Sequence, residues 1–582
     1  MAGVGAADFD RRRALESLGR DQFDVLVVGG GVTGCGVALD AATRGLNTAL
    51  VEARDFASGT SSKSSKLIHG GLRYLQQHDY LLVYEALRER QRLLRNAPHL
   101  VHPLPFLIPL FGKDGVVAKS VAKAYSTALW LYDVTGGVRI GRKHRRIDAS
   151  EALRHFPALR TDGLVTSFLY WDAQADDARL TLALARTAAA KGAVVANYSP
   201  VESLIASGGR VTGARLADGT VVRAHTVVNS GGVWSADIGR LAPSGDGDVP
   251  IRPAKGVHIA VHSERLPCDF AAVLSVPGDR RSVFVVPWAA DEAGGPAARG
   301  RYTYIGTTDT DYEGPLEEPV CRPEDIDYLL RAVNAWTSAG LAPGDVTGTW
   351  AGLRPLVSDA RSARTADLSR RHRVVVSGEG LVTVTGGKLT TYRQMAADTV
   401  DAVLGVPPRT IFGLPRPRRG ITRSRTARLA LVGGENGGRP PAEAAGTARR
   451  LGIDEDRFAH LSGRHGSETG EVLELCSGCP ELARPLHPEL PYLEAEVIWA
   501  ARREMALTVT DVLARRTRAL ILNRAAAQEA ARRVASLLGD ELGLDRSEQD
   551  RQIDELNRAV ESHLAAETTA QTAAGSSPLA RP

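Results

Sequence analysis

Residues 23–36, Phe-Asp-Val-Leu-Val-Val-Gly-Gly-Gly-Val-Thr-Gly-Cys-Gly, decide the fold of this chain. The apolar run from Phe23 predicts a buried parallel strand, and a helical stretch extends from the glycines to Arg44. A second strand is predicted at Thr48 to Glu52. The order strand, glycine turn, helix and strand predicts a βαβ unit of a Rossmann-like domain.

The glycines satisfy the pattern G-x-G-x-x-G at Gly29, Gly31 and Gly34, with Gly30 inside it. Glycines let the backbone approach a pyrophosphate, and the N-terminus of the following helix favours an anion. Glu52 ends the second strand, where a carboxylate accepts hydrogen bonds from an adenosine ribose and disfavours a 2′-phosphate. The sequence therefore predicts a dinucleotide site that disfavours NADP and leaves FAD and NAD open. The alternative is a chance glycine-rich turn.

Two later segments favour FAD over NAD. Residues 225–235 form an apolar strand that ends in Ser-Gly-Gly-Val-Trp-Ser, and residues 386–392, Gly-Gly-Lys-Leu-Thr-Thr-Tyr, open another helix. Both resemble two-domain flavoproteins of the amino-acid-oxidase-like class. There the first segment passes the adenosine half of FAD, and the second brings a helix N-terminus near the isoalloxazine. An ordinary strand end and a capped helix are the alternatives.

Composition excludes several classes of protein. The chain has 582 residues, of which 43% are hydrophobic and 24% are charged, so it is neither largely disordered nor collagen-like nor a coiled coil. A net charge of +5 is too small to indicate a nucleic-acid partner, but it suits anionic small molecules or an anionic membrane surface. Five cysteines are no disulfide framework, and the lone pair Cys476 and Cys479 is predicted to be incidental rather than a metal site.

Targeting signals are also lacking in the sequence. Residues 1–20 carry Asp8, Asp10 and the three arginines 11–13 without an apolar core, unlike a signal peptide. No stretch reaches the roughly 18 apolar residues that a membrane span needs. We therefore expect a cytoplasmic protein in a reducing compartment. Five segments are predicted: a polar arm at 1–20, an FAD-binding domain interleaved with a substrate domain at 21–405, a Pro-, Arg- and Gly-rich linker at 406–441, a helical domain at 442–564 and a disordered tail at 565–582.

Residues 60–75, Thr-Ser-Ser-Lys-Ser-Ser-Lys-Leu-Ile-His-Gly-Gly-Leu-Arg-Tyr-Leu, carry the most specific signal. This string closely resembles a hallmark of the FAD-dependent glycerol-3-phosphate dehydrogenases. Further segments that resemble this family are 255–258, 305–309, 352–356, 386–393, 492–498 and 511–518. The resemblance spans roughly residues 20–560. It implies a Rossmann-like FAD-binding domain interleaved with an antiparallel-sheet substrate domain, followed by an all-α C-terminal domain.

The resemblance implies oxidation of sn-glycerol 3-phosphate to dihydroxyacetone phosphate, with hydride transfer to FAD and electrons passed to a membrane quinone. It also implies peripheral contact with the inner face of the cell membrane. Two alternatives stay open: an oxidase that uses oxygen, and a flavin-binding protein without turnover. The oligomeric state is open, with a homodimer among the alternatives, and no metal is expected.

The substrate carries a dianionic phosphate, which calls for arginine because its planar fork of donors matches phosphate oxygens. By the resemblance, Arg73 and Tyr74 line the substrate pocket. Arg354 is expected to bind the substrate near the flavin, and Lys388 is expected beside the flavin ring. Arg370 is the expected phosphate-binding residue, and the adjacent residue 371, also an arginine, is its rival.

His258 is the predicted general base, because an unperturbed pKa near 6.5 suits proton transfer close to neutrality. Its alternative is a structural histidine on a strand. The carboxylates of Glu202, Asp176 and Asp177 are poor candidates, because they would repel a dianionic substrate. The residues expected to bind FAD are Gly29, Gly30, Gly31, Gly34, Glu52, Thr60, Ser61, Ser65, Lys66, Gly71, Val201, Gly232, Trp234, Gly387, Leu389 and Thr390.

A membrane-contact segment is predicted at Val101–Phe111 together with residues 116–132, in which Lys119 and Lys123 lie beside aromatic and apolar residues. The alternative is an amphipathic helix packed on the substrate-domain sheet. The basic run at residues 515–518 is predicted to be a solvated or dimer-facing surface.

Overall fold

The computed structural model describes residues 9–72, 74, 79–112, 119–243, 245, 249–279, 281–288, 301–357, 371–406 and 423–568. Two sheets and a helical C-terminal region make up the described chain. The strands are β1 Gln22–Val28, β2 Thr48–Val51, β3 Leu67–Ile68, β4 Val101–Phe111, β5 Arg145–Asp148, β6 Leu164–Ala175, β7 Val194–Ala196, β8 Val201–Ser207, β9 Arg210–Leu216, β10 Val221–Asn229, β11 Ile251–His262, β12 Ala271–Ser275, β13 Ser282–Pro287, β14 Tyr302–Gly306, β15 Thr310–Asp311, β16 Val346–Val357, β17 His372–Val376 and β18 Val382–Gly386.

Helices cover both sheets and form the C-terminal region. They are α1 Arg11–Arg20, α2 Val32–Thr43, α3 Tyr80–Asn96, α4 Lys119–Thr135, α5 Ala149–His155, α6 Asp177–Ala190, α7 Ser235–Arg240, α8 Pro323–Asn334, α9 Tyr392–Val403, α10 Ala444–Arg450, α11 Glu455–His465, α12 Thr469–Gly478, α13 Ala495–Glu504, α14 Ala519–Leu522, α15 Arg524–Leu542 and α16 Arg546–Thr568. A π-helical turn at Asp511–Arg516 lies between α13 and α14.

The first sheet has the order β17-β18-β10-β1-β2-β7, with β9 on β10 and β8 on β9. The strands β18, β10, β1, β2 and β7 pair in parallel. Their near-continuous apolar residues are buried because helices cover both faces. The helix α2 packs on α6 and α9 at one face, and α1 contacts β7 and β10 at the other. This sheet therefore places the carboxyl ends of β1 and β2 side by side.

The second sheet has the order β15-β11-β14-β13-β12-β4-β6-β3, with β16 on β11 and β5 on β6. Its pairs are antiparallel except for β4 with β12. The strand β4 lies in the middle of this sheet, and Leu104, Phe106, Leu107 and Ile108 are buried in its core. The prediction that Val101–Phe111 contacts a membrane is therefore wrong. A central strand and an interfacial segment share the same apolar composition.

The C-terminal helices build a core of their own. Its centre consists of apolar residues of α13, the π-helical turn and α15, among them Val497, Val512 and Val534. The last helix continues to Thr568, so residues 565–568 are helical rather than part of the predicted tail. Residues 569–582 lie outside the described residues.

The N-terminal segment also differs from the predicted polar arm. Residues 11–20 form the helix α1, because Ala14 and Leu18 lie four positions apart on one face and are buried against the first sheet. In the predicted linker, Leu431 and Val432 are buried, and short 3₁₀ turns form at Thr426–Arg428 and Glu435–Gly438. Among the described residues, no helix is both long and apolar enough to cross a bilayer.

Candidate active site

The turn at residues 29–34, here called the pyrophosphate turn, joins β1 to α2. Gly29 has a φ of +112°, which favours glycine. A Cβ on Gly34 would lie 1.9 Å from the carbonyl oxygen of Gly29, so only glycine lets the helix begin this close to the strand. No side chain caps α2 at Gly31. The turn thus fits a bound pyrophosphate, because it combines close backbone approach with a helix N-terminus.

Glu52 lies directly after β2, beside the pyrophosphate turn. One carboxylate oxygen accepts a hydrogen bond from the Gly30 N–H at 2.5 Å, and the other accepts from the Arg54 N–H at 2.9 Å. Burial raises the pKa of Glu52. This is the position at which a carboxylate meets an adenosine ribose in the dinucleotide fold.

The serine loop, residues 58–65, closes over the pyrophosphate turn. The Ser61 hydroxyl oxygen accepts a hydrogen bond from the Val32 N–H at 2.9 Å, so the loop meets the first residue of α2. On its other side, the Thr60 hydroxyl donates to the carbonyl oxygen of Leu353 on β16 at 2.6 Å. The loop therefore joins the two sheets at the predicted cofactor site.

Lys66 follows the serine loop, and its side chain is fully buried. Its ammonium group donates to the Ser62 carbonyl oxygen at 3.1 Å and pairs with Asp177 at 3.3 Å. Burial lowers the pKa of Lys66 to about 8 despite the Asp177 carboxylate. The ammonium thus holds the serine loop on α6, and a cofactor contact of Lys66 stays a prediction.

His258 and Arg354 lie on the neighbouring strands β11 and β16. The His258 ring stacks on Trp350, with centroids 4.8 Å apart and planes at 7°, and its Nε2 lies 2.9 Å from Ser65 Oγ. Arg354 donates from Nη1 to Asp309 Oδ1 at 3.0 Å and from Nη2 to Thr307 Oγ1 at 3.2 Å. The serine loop, the predicted base and the predicted substrate arginine therefore form one neighbourhood.

Two cationic side chains act on the His258 ring. Burial, and then the charges of Lys66 and Arg354, lower the pKa of His258 well below its usual value. His258 is therefore neutral near pH 7. The unperturbed pKa used in the sequence prediction does not hold at this position, because the ring is buried between cations.

Lys388 and Tyr74 form a second group of predicted site residues. The Lys388 ammonium lies 3.7 Å from the centroid of the Tyr74 ring, close enough for a cation–π contact. Gly71, with a φ of +81°, faces both, since its Cβ would lie 2.3 Å from the Tyr74 ring and 3.3 Å from Lys388 Nζ. Burial and then Lys388 lower the pKa of His69 to about 3.

The segments that carry these two groups of residues contact each other where β16 ends. A Cβ on Gly386 would lie 3.4 Å from Val357, the last residue of β16, three positions beyond Arg354. The Thr390 hydroxyl oxygen accepts from the His69 N–H at 3.1 Å, which ties the second glycine turn to the segment that follows the serine loop. The predicted catalytic residues thus come from segments that touch.

The other predicted cofactor residues are spread around this centre. Trp234 packs on Gly59, where a Cβ would lie 2.9 Å from the indole ring. Gly232 and Gly387 adopt φ values of +59° and +74°, which favour glycine. Leu389 begins the 3₁₀ turn Leu389–Thr391. Val201 begins β8, directly after the segment in which the Ser199 N–H donates to the Glu52 carbonyl oxygen.

Two of the predicted substrate arginines lie outside the described residues, namely Arg73 and Arg370. Their roles stay predictions. The rival Arg371 is described, and its guanidinium pairs with Asp79 at 2.6 Å.

Comparison with protein families matches residues 24–393 to the family described as FAD dependent oxidoreductase. A glycerol-3-phosphate dehydrogenase of Mycobacterium leprae is 40% identical over 562 residues, 95% of this chain and 91% of the relative. The chain belongs to the glycerol-3-phosphate dehydrogenase family of FAD-dependent oxidoreductases. The match confirms the predicted family, the fold class and the FAD cofactor.

Further relatives of this oxidoreductase extend the similarity along the chain. Residues 424–549 match the C-terminal domain of alpha-glycerophosphate oxidase. The human mitochondrial glycerol-3-phosphate dehydrogenase is 38% identical over 557 residues, 92% of this chain and 72% of the relative. A crystal structure of the glycerol-3-phosphate dehydrogenase from Bacillus halodurans complexed with FAD has a TM-score of 0.72 and 30% identity, and the match covers 97% of this chain and 98% of that one.

The basic run at residues 515–518 of this oxidoreductase is not a solvated or dimer-facing surface. Arg515 and Arg516 pair with Asp55, which is fully buried, at 2.5 Å and 2.6 Å. Arg518 pairs with Asp177 at 3.0 Å and also donates to the Ser62 carbonyl oxygen. The prediction was wrong because each arginine meets a carboxylate hundreds of residues earlier in the chain. Asp177 is thereby a structural counterion, not an acid–base group.

A second buried network went unpredicted. The Asp172 carboxylate accepts from the Tyr132 hydroxyl at 2.6 Å and from Arg90 at 2.5 Å. The Gly70 N–H donates to the Tyr132 hydroxyl oxygen at 3.0 Å, so the network supports the turn that faces Lys388. The sequence signal was weak, since an isolated arginine in a helix is usually solvated.

The cysteine pair carries no metal site in the part of the chain that the structure describes. Cys476 is buried in the helical core, whereas Cys479 is exposed. No group of three or more His, Cys, Asp or Glu side chains suited to a metal ion occurs among the described residues.

Proposed function

We propose that the chain oxidises sn-glycerol 3-phosphate to dihydroxyacetone phosphate, with FAD as the hydride acceptor and a membrane quinone as the final electron acceptor. The observation that carries this proposal is the placement of two cationic side chains, Arg354 on β16 and Lys388 shortly after β18, on strands that contact each other; such groups suit a phosphate monoester. The names of the Mycobacterium leprae and human relatives supply the particular substrate.

Arg354 is proposed to bind the substrate phosphate. Its contacts with Asp309 and Thr307 fix the plane of the guanidinium before a substrate arrives. A planar fork of donors held in one orientation binds phosphate with less loss of side-chain entropy than a mobile one. The side chain is 23% exposed, so a ligand can reach it.

Lys388 is proposed to bind near the reacting alcohol and the flavin ring. Its contact with the Tyr74 ring holds the ammonium in place. Bound FAD supplies the hydride acceptor, and the pyrophosphate turn, Glu52 and the serine loop are the segments that fit it. The positive charge of Lys388 also favours the alkoxide character that develops as the substrate hydroxyl loses its proton.

His258 is proposed to take the proton of the substrate hydroxyl. The neutral ring can accept a proton, although an imidazolium would face Lys66 and Arg354. A bound dianionic substrate would make protonation of His258 more favourable, because a nearby negative charge stabilises the imidazolium. Substrate binding is therefore expected to raise the pKa of His258 toward the range useful for a general base.

The first test is an anaerobic addition of glycerol 3-phosphate to the purified holoprotein. We expect the oxidised-flavin absorption band to disappear, and addition of a soluble quinone to restore it. A band that persists with glycerol 3-phosphate would contradict the proposed substrate. Rapid recovery with oxygen and an equimolar yield of peroxide would instead favour the oxidase alternative.

Replacing Arg354 with alanine should raise the KM for glycerol 3-phosphate by about 10- to 100-fold, since hydrogen bonds to charged groups contribute about 1.5–3 kcal/mol. Steady-state kinetics with a quinone acceptor measures this change. Arg252→Ala is the matched control, because Arg252 lies on the neighbouring strand β11 and pairs with Asp311 in an exposed position. An unchanged KM in Arg354→Ala would remove this arginine from the substrate site.

Membrane contact is proposed through α4 and the start of α3, which contact each other. Trp130 and Val134 of α4 are 59% and 63% exposed, and Tyr80, Leu81 and Tyr84 of α3 are also exposed. Exposed apolar groups together on one surface suit an interfacial contact. Leu129 and Tyr132, which the sequence prediction also assigned to this contact, are buried in the second sheet's core instead.

The double substitution Trp130→Ser and Val134→Ser should weaken binding to phospholipid vesicles at least about tenfold, because each large apolar side chain contributes about 1.5–3 kcal/mol when buried. Vesicle sedimentation measures the bound fraction. Val376→Ser is the control, since Val376 is 54% exposed on β17. Equal sedimentation of the double variant and the unaltered protein would exclude α4 as the contact.

A further inference from the structure

A cavity of about 400 Å³ opens beside α3, and none of the residues predicted for substrate or cofactor lines it. Its charged lining comes from three segments: α3, the 3₁₀ turn Gly137–Ile140 and the 3₁₀ turn Thr426–Arg428. The side chains that define this arginine cavity are Arg88, Arg92, Arg95, Arg139 and Arg428, together with Gln91. Its volume lies in the range of small-molecule sites.

The arginine cavity follows from the helical period of α3. Arg88, Arg92 and Arg95 lie at positions i, i+4 and i+7, so all three project from one face. Like charges four positions apart on a helix repel each other. Arg139 and Arg428 add two further guanidinium groups from other segments to the same space. The fold therefore concentrates positive charge here rather than dispersing it.

Within the described part of the chain, the carboxylate that pairs with arginines of the cavity is Glu89, which lies 3.8 Å from Arg88 Nε. Arg92 pairs with Glu89 at 2.5 Å, but the same carboxylate also accepts from Arg393 at 2.6 Å and 3.0 Å. Arg88 donates to the neutral amide oxygen of Gln394 at 3.2 Å. None of the described residues that line the arginine cavity is acidic.

Arg139, a third arginine of the cavity, lies over an aromatic ring. The Arg139 guanidinium is 4.8 Å from the centroid of Tyr84, one of the exposed aromatic residues of α3. Burial lowers the pKa of Arg92 although the Glu89 carboxylate raises it, and the neighbouring Arg393 and Arg88 lower it further. An anion in the arginine cavity would relieve this repulsion.

We propose that the arginine cavity binds a phosphate-bearing anion. Clustered guanidinium groups match phosphate oxygens in both charge and geometry. A second cavity of about 430 Å³ adjoins it, sharing Gln91, Arg95 and Arg139 and adding Leu94 and Ile140. The ligand is therefore a phosphate group attached to a partly apolar body. An acidic phospholipid headgroup and a free phosphorylated metabolite both have this chemistry.

The test compares the holoprotein with the double variant R95Q/R428Q, which removes two cavity charges outside the proposed catalytic and cofactor sites. The control R450Q/R532Q removes two exposed charges from α10 and α15. Calorimetric titration with inorganic pyrophosphate probes the free ligand, and sedimentation with vesicles of phosphatidylcholine, with and without phosphatidic acid, probes the lipid headgroup. Flavin content checks that each variant folds.

We expect R95Q/R428Q to weaken binding at least about tenfold relative to the control, since a lost charge-assisted hydrogen bond corresponds to about that factor. Weakened pyrophosphate binding identifies a free phosphorylated ligand. A loss seen only with phosphatidic acid vesicles identifies a lipid headgroup. Both probes unaffected, with flavin content retained, would overturn the proposal, as would an equal loss in R450Q/R532Q.

Discussion

Replacing Gly34 with alanine is expected to yield a protein that does not retain FAD. The added Cβ would lie 1.9 Å from the Gly29 carbonyl oxygen and 2.5 Å from the Ser230 hydroxyl. The serine can rotate, but the carbonyl belongs to the backbone of the pyrophosphate turn. The helix α2 must therefore move away from β1, and its N-terminus leaves the position in which it meets the pyrophosphate.

The ratio of flavin absorbance to protein absorbance measures this loss, and circular dichroism shows whether the remaining fold is retained. Gly463→Ala is the matched control, because Gly463 lies within α11 with open space around its Cα. A Gly34→Ala protein with full flavin content would contradict the assignment of residues 29–34 to the pyrophosphate.

Replacing Asp55 with alanine is expected to produce a large loss of stability. Asp55 is fully buried and pairs with both Arg515 and Arg516. Removing one partner of a buried ion pair costs about 3–5 kcal/mol, because it leaves a charge buried without compensation. Thermal unfolding followed by circular dichroism should show a clear decrease in Tm. Asp21→Ala, which breaks an exposed pair with Arg20, should leave Tm nearly unchanged.

The loss of stability caused by Asp55→Ala is expected to depend on pH. Burial alone would raise the pKa of Asp55, but Arg516 and Arg515 hold it well below its usual range. A carboxyl group with a depressed pKa stabilises the fold above its unfolded pKa of about 3.9 and loses that contribution as the pH falls through the folded pKa. The stability difference between the unaltered protein and Asp55→Ala should therefore shrink below about pH 4. A difference that stays constant down to pH 2 would contradict the role of the ionised carboxylate.

The sequence predicted those elements of the fold that form from residues close together in the chain. The βαβ unit was predicted at nearly its observed bounds, because apolar periodicity and glycine turns act over short distances. The second glycine turn was likewise predicted ahead of the helix α9. These elements place the pyrophosphate turn and Lys388.

The sequence did not predict the features that depend on contacts between residues far apart in the chain. Nothing local distinguishes the central strand β4 from an interfacial segment, since its place between β12 and β6 depends on residues far along the chain. The buried arginines 515, 516 and 518 have the composition of a solvated surface until Asp55 and Asp177 are brought to them. For His258 the residue type predicted a useful pKa, whereas burial between two cations determines the actual one.

The contact of Arg518 with the serine loop has a consequence for the order of assembly. Arg515 and Asp55 are 460 residues apart, and Arg518 reaches the Ser62 carbonyl oxygen across a similar separation. During synthesis the loop beside the pyrophosphate turn therefore lacks its last supports until almost the whole chain has left the ribosome. Contacts of such sequence separation form late in folding. A chain truncated before residue 515 would lack these supports of the serine loop, and we expect it to retain less FAD than the full chain.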